Sequence, residues 1–141
     1  MLNFTLSELI HSDTAEKYNI NNMPDIKSLD NLLYLICDCL QPVREVFQKP
    51  VIITSGFRTK RVNELCGGSK TSEHLTGCAA DFVIKGLTVT EIVQRIRKTT
   101  IPFNQLIEEH SKDTCWVHIS YKKTGNKREV LRYKNGVYTK I

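Results

Sequence analysis

The stretch that decides the fold is Ser72-Glu73-His74-Leu75-Thr76-Gly77-Cys78-Ala79-Ala80-Asp81, continued by Phe82-Val83-Ile84. Residues Ala79 to Ile84 form a short, mostly apolar run that reads as a buried strand. His74 stands in the loop before the strand and Asp81 on it. Gly77, Ala79 and Ala80 are small, which lets the backbone fold tightly and bring both side chains to one point. Imidazole and carboxylate are both ordinary zinc donors.

The chain on either side supplies the layers that such a strand needs. Thr5-Leu6-Ser7-Glu8 is a capping box that opens a short helix with Leu6, Leu9 and Ile10 on its apolar face. A second helical piece spans Thr14 to Tyr18, and Asn19 to Pro24 reads as a loop. From Ile26 to Phe47, Leu29, Leu32, Leu33, Ile36, Leu40, Val43 and Val46 recur at helical spacing. Pro42 lies inside that pattern and should kink or divide the helix. Val51 to Thr54 is a β-branched strand, and Thr59 to Leu65 is helical. Thr88-Val89-Thr90-Glu91 is a second capping box, and its helix presents Ile92, Val93 and Ile96. Gln105 to Glu108, Trp116 to Tyr121, Glu129 to Tyr133 and Val137 to Ile141 complete a set of strands. Asn135-Gly136 is a two-residue hairpin turn between the last two. The order predicts an α+β fold, a small antiparallel sheet packed against helices, in a single domain over residues 1–141.

The bulk properties agree with one globular domain. The chain has 141 residues, 40% of them hydrophobic and 25% charged. No apolar run approaches the roughly 20 residues of a membrane helix, so no membrane insertion is expected. The N-terminus carries neither a basic patch nor a signal-like apolar stretch, which predicts synthesis in the cytoplasm without a signal peptide. The five cysteines show no paired spacing and predict reduced, mostly buried thiols. The net charge of +5 is concentrated near the C-terminus, in Lys122, Lys123, Lys127, Arg128, Arg132, Lys134 and Lys140, opposed there only by Glu129. A solvated surface hairpin accounts for this patch; attraction to an anionic polymer, either nucleic acid or an anionic cell wall, is the functional alternative.

Trp116-Val117-His118-Ile119-Ser120 adds a third candidate ligand. Strand alternation puts Trp116, His118 and Ser120 on one face, with Val117 and Ile119 on the other. Three protein donors and one open position are what a catalytic zinc requires. On spacing alone, a single strand histidine is more often a satisfied structural residue and a single strand-edge aspartate more often a cap.

Taken together, Ser55-Gly56-Phe57-Arg58-Thr59, Val62-Asn63, Gly67-Gly68, Ser72-x-His74-x-x-Gly77-x-Ala79-x-Asp81 and Trp116-Val117-His118 resemble the D-Ala-D-Ala carboxypeptidase family of zinc peptidases. That family includes vancomycin-resistance D,D-peptidases and phage endolysin peptidases and shares its fold with the hedgehog signalling domain. The resemblance runs roughly from Phe4 to Tyr121. It implies one zinc ion held by His74, Asp81 and His118. It implies that Arg58 binds substrate and steadies the oxyanion, and that Ser72 lines the same pocket. The implied substrate is a bacterial peptidoglycan peptide, cleaved by a monomer that binds no nucleic acid and reaches the wall after a phage-type release. D-Ala-D-Ala, L-Ala-D-Glu and cross-bridge bonds all remain open. Many family members carry Glu or Asp three residues before the last histidine ligand, where this chain has Cys115. By analogy with an acidic residue at a strand end in the hedgehog domain, Glu109 is the expected general base, with Asp113 as the alternative. A zinc-binding but catalytically inactive wall- or partner-binding module is the competing reading.

Overall fold

The computed structural model describes residues 1–141. Its first helix, α1 (Leu6–Ile10), begins with both bonds of the capping box: the Glu8 N–H donates to Thr5 Oγ1 at 3.2 Å, and the Thr5 N–H donates to Glu8 Oε2 at 2.7 Å. The box satisfies two backbone donors that the first turn would leave bare. α2 (Asp13–Lys17) follows, capped by Ser12. The long helical pattern is realised as α3 (Ile26–Leu35), a π-helical turn (Ile36–Leu40) and α4 (Gln41–Phe47). Pro42 explains the π turn. It has no N–H for the Asp38 carbonyl, and its ring crowds that group. The chain widens there, and the Gln41 N–H donates to the Ile36 carbonyl, five residues back. Leu32, Leu35, Ile36, Leu40 and Val43 are fully or almost fully buried. Such side chains each contribute about 1.5–3 kcal/mol of hydrophobic stabilisation. Leu33 and Val46, expected on that face, are exposed, while Cys39 and Phe47 fill the seam.

The sheet has the order β1-β2-β4-β3-β5-β6. Its strands are β1 (Ile52–Ser55), β2 (Ala79–Val83), β3 (Gln105–His110), β4 (Cys115–Ser120), β5 (Glu129–Lys134) and β6 (Val137–Lys140). The remaining helices are α5 (Lys60–Leu65), a 3₁₀ turn (Glu73–Thr76) and α6 (Val89–Arg97). The architecture is α+β, as expected, but the sheet is mixed rather than wholly antiparallel: β3 and β5 run parallel. The reason is positional. β4 lies antiparallel to β3 and ends beside its start, so the chain leaving Ser120 is already at the end from which β5 must enter. The Arg128 and Glu129 N–H groups tie that entry to the carbonyls of Phe103 and Asn104. Asn135 and Gly136 both have positive φ, at 53° and 76°, as a two-residue turn between β5 and β6 requires.

Alternation divides the sheet into two faces. Ala80, Phe82, Leu106, Val117 and Ile119 join the helices in the core. The opposite face carries Asp81, His118, Ile107 and Glu109. The five cysteines are unpaired, but only Cys39 is buried; Cys37, Cys66 and Cys115 are exposed and Cys78 is intermediate. The expectation of mostly buried thiols is corrected on this point. No helix is long and apolar enough to cross a membrane.

Candidate metal centre and active site

Strand pairing assembles the site in two adjacent rows. In the first, Ser55 of β1 pairs with Asp81 of β2, Asp81 with His118 of β4, and His118 with Ile107 of β3. In the second, Trp116 of β4 pairs with Glu109 of β3, Glu109 with Tyr133 of β5, and Tyr133 with Tyr138 of β6. Residues directly opposite or diagonal in a sheet lie within side-chain reach of one another. The rows therefore bring Asp81, His118 and Glu109 to one patch, and the 3₁₀ turn adds His74.

His74 is held from behind. Its Nδ1 lies 2.7 Å from the Gly56 carbonyl oxygen, which can only accept. The proton therefore sits on Nδ1, and the Nε2 lone pair is free to bind a cation. Gly56 is required for this approach: a Cβ there would stand 2.2 Å from the Leu9 carbonyl oxygen. Ser72, which lines the cleft, accepts the His74 N–H at 3.2 Å and so caps the turn. Gly77 ends the turn at φ +76°, where a Cβ would meet the Ser28 carbonyl oxygen at 2.4 Å.

Asp81 Oδ1 lies 3.3 Å from His74 Nε2 and 3.0 Å from His118 Nδ1. One donor atom from each of the three residues falls within 4.8 Å of the others. Tetrahedral zinc, bonded at about 2.0–2.1 Å to nitrogen and oxygen, spaces its donors about 3.3 Å apart, so this set fits such an ion. His74 and Asp81 are buried, and the His118 side chain is 12% exposed. The other convergent group, His11, Asp13 and Glu16, is fully on the surface.

Charge and burial shape the titration of these groups. Burial alone would raise the Asp81 carboxyl, but the charges and hydrogen bonds of His74 and His118 outweigh it and hold the group low. Burial pushes His74 down, against the pull of Asp81. Burial would also push His118 down, but its hydrogen bond to Asp81 and that group's charge lift it above the ordinary value. Burial raises the Glu109 carboxyl, and the Asp81 charge adds to the rise; His118 and Arg58 oppose it.

Arg58 is fixed on three sides. Its Nε donates to Ser55 Oγ at 3.0 Å, Nη1 to Asn63 Oδ1 at 3.3 Å and Nη2 to Asp81 Oδ2 at 3.4 Å. Ser55 and Asn63 were not assigned roles from the sequence, although both lie in the stretches that carry the resemblance. Arg58, His74, Asp81, Glu109 and His118 all line one cleft of about 550 Å³.

Asp113 lies apart from this group, in the exposed turn between β3 and β4. Ser120 is fully buried, and its Oγ accepts the Gln105 N–H at 3.0 Å. It belongs to the sheet rather than to the cleft wall, which corrects the expectation from alternation. Cys115 is on the opposite face from His118 and outside the cleft.

The family model described as Peptidase M15 matches residues 2–120. The chain belongs to the Peptidase M15 family. This is the zinc peptidase family of D-Ala-D-Ala carboxypeptidase type that the motifs resemble. The matched segment agrees closely with the expected extent, and it contains His74, Asp81 and His118, the three residues that could hold a metal. No curated protein matches the chain. The Peptidase M15 match ends at Ser120, so β5 and β6 lie beyond it. That hairpin completes the cleft with Leu131, Tyr133 and Tyr138, the two tyrosine rings standing 4.6 Å apart. The C-terminal segment read as a solvated basic hairpin thus also supplies an aromatic wall to the site.

Proposed function

We propose that the protein hydrolyses a peptide bond in the stem peptides of bacterial peptidoglycan, with one zinc ion held by His74, Asp81 and His118. The observation that carries this reading is the convergence of Glu109 and Arg58 on the cleft that contains the three ligating residues. A zinc ion bound there supplies Lewis-acid activation of the attacking water and of the scissile carbonyl. Glu109 accepts the proton of that water at its carboxylate and delivers it to the leaving amine; a carboxyl raised by burial is suited to both halves of the transfer. Arg58, immobilised by Ser55 and Asn63, donates to the carbonyl oxygen as negative charge develops. Ser72 lines the same cleft, where it would contact the bound peptide. The chemistry needs no covalent intermediate, so Cys115 is not a nucleophile in it.

The test is mass spectrometry of purified peptidoglycan fragments incubated with the protein, with and without a chelator. Chelator-sensitive loss of a defined residue or dipeptide is expected, and it identifies the bond. A protein shown to hold one zinc that cleaves no wall fragment is instead an inactive binding module.

A further inference from the structure

Behind the sheet, on the face turned away from the cleft, a second group of reactive side chains comes together. His110 and Cys115 are the last pair before the β3–β4 turn. Cys115 Sγ is 3.3 Å from His110 Nδ1. The other ring nitrogen, Nε2, lies 3.5 Å from Glu108 Oε2 without a hydrogen bond to it. Glu108 is fully buried and receives Arg132 Nε at 2.6 Å. Burial would raise its carboxyl, but hydrogen bonds from Arg132 and Thr90 with the Arg132 charge keep it below the ordinary value and ionised.

Two features show that this is more than an exposed cysteine. First, the imidazole uses opposite nitrogens for its two neighbours. A metal site would have the three donors converge, and they do not. The order is thiol, base, carboxylate, the arrangement in which a third group orients the base for a nucleophile. Second, Glu108 Oε1 and His110 Nε2 are the only buried side-chain polar atoms in the protein without a hydrogen-bond partner. Orphaned buried polar groups are costly, and two in one cluster call for a physical cause. They stand together: Nε2 is 3.5 Å from Glu108 Oε2, and Oε1 of the same carboxylate has a lone pair to spare, so a proton passed to the ring during exchange meets a buried anion.

We infer that Cys115, with His110 as its base and Glu108 positioning the ring, is a thiol-exchange site that forms a mixed disulfide with small organic disulfides. His110 Nδ1 takes the thiol proton as Sγ attacks. The disulfide bond of the reagent breaks, the bond from Cys115 Sγ to one of its sulfurs forms, and the departing thiolate recovers the proton from Nδ1. Exchange suits this place better than acyl transfer. Cys115 is exposed at the sheet end, and neither of the two main clefts reaches it. A disulfide needs only a clear line of approach to sulfur, without a pocket or oxyanion donors. Arg132, and Lys134 opposite His110 in the parallel register, favour an anionic reagent. The site is independent of the metal centre, because alternation turns Cys115 away from His118.

The full chain supplies its own references, since Cys37 and Cys66 are also exposed thiols and the one polar partner of Cys66 is the Thr14 hydroxyl, not a base. The protein is mixed with limiting oxidised glutathione, and adducts at each cysteine are followed by peptide mass spectrometry. Cys115 is expected to react on the order of tenfold faster than Cys37 and Cys66, because a general base assists only its thiol. His110→Gln, or His110→Asn should the first variant lose its circular-dichroism spectrum, brings Cys115 to the reference rate while Cys37 and Cys66 are unchanged. Long-range ¹H–¹⁵N spectra should find the neutral His110 ring protonated on Nε2, a preference lost in Glu108→Gln. If Cys115 in the unaltered protein is no faster than the references, the inference is wrong, whatever the variants do. An advantage that survives removal of the His110 ring overturns it equally.

Discussion

Replacing Gly56 by alanine separates the two tasks of one backbone position. A Cβ at this residue would lie 2.2 Å from the Leu9 carbonyl oxygen and 2.8–2.9 Å from its carbonyl carbon and Cα. All three are backbone atoms, and the Leu9 carbonyl is already engaged by the Phe57 N–H at 2.7 Å. Relief requires about 1 Å of separation between α1 and the end of β1, since ordinary carbon–oxygen contacts begin above 3 Å. Overpacking of this kind costs about 1–3 kcal/mol. For a domain of this length, about 4 °C per kcal/mol gives a Tm lowered by about 4–12 °C. The same movement carries the Gly56 carbonyl away from His74 Nδ1. Loss of such support behind a metal ligand weakens metal affinity roughly 10–100-fold. At fixed free zinc well above Kd, the zinc-dependent part of stability then falls by about 1.4–2.7 kcal/mol. Thermal melts in chelator measure the packing cost alone. Competition against a chromogenic zinc chelator measures the orientation cost alone. A Gly56→Ala protein that melts with the original protein in chelator refutes the close approach. One that melts lower but binds zinc equally well refutes the support of His74.

Glu109→Gln should lower kcat about 10²–10⁴-fold with zinc content unchanged, while Asp113→Ala leaves kcat/KM at its original value; the reverse pattern moves the base into the β3–β4 turn. Burial raises the Glu109 carboxyl, and this group acts as a base only when ionised. Activity is therefore present above its folded pKa and lost as pH falls through it, which gives kcat/KM an acid limb that Glu109→Gln removes. A kcat/KM profile with no acid limb, or one unchanged in Glu109→Gln, contradicts the assignment. Arg58→Lys should cost roughly 10²-fold in kcat, because an ammonium cannot hold Ser55, Asn63 and Asp81 while also facing the oxyanion. Steady-state kinetics on the cleaved fragment decide it, and a loss confined to KM reassigns Arg58 to substrate binding.

Local rules were the legible part of this chain. Both capping boxes, the Asn135-Gly136 turn and the inward face of Trp116 and His118 depend on residues a few positions apart, and each forms as read. What was not legible depends on strand order. Nothing in the alternation of Glu129 to Lys134 says that this strand lies parallel to β3, yet that pairing is what sets Tyr133 beside Glu109 and brings Tyr138 to the cleft. Ser120 shows the same limit. It shares a face with His118, but the chain turns at the strand end and the Gln105 N–H claims its hydroxyl. Leu33 and Val46 fit a helical period and are still exposed, because they flank the face on which Leu32, Leu35, Ile36, Val43 and Phe47 are buried.

The displaced acid is the instructive case. An acidic side chain at position 115 of this chain would face away from His118, because the two positions have opposite parity on one strand. On β3, His118 is opposite Ile107, so the residues that face the His74, Asp81 and His118 cluster are those of odd number. Glu108 and Glu109 are adjacent and chemically identical, yet the register gives them opposite surroundings. Glu109 enters the cleft, where burial raises its carboxyl. Glu108 goes beneath α6, where Arg132 keeps it ionised. One residue of slip between β3 and β4 would exchange them, placing the Arg132-paired carboxylate in the cleft. The fully buried Leu106, Val117 and Ile119 oppose that slip, because it would turn the apolar side chains of a strand towards the cleft. The packing of the helix-covered face thus decides which of two neighbouring glutamates enters the cleft on the other.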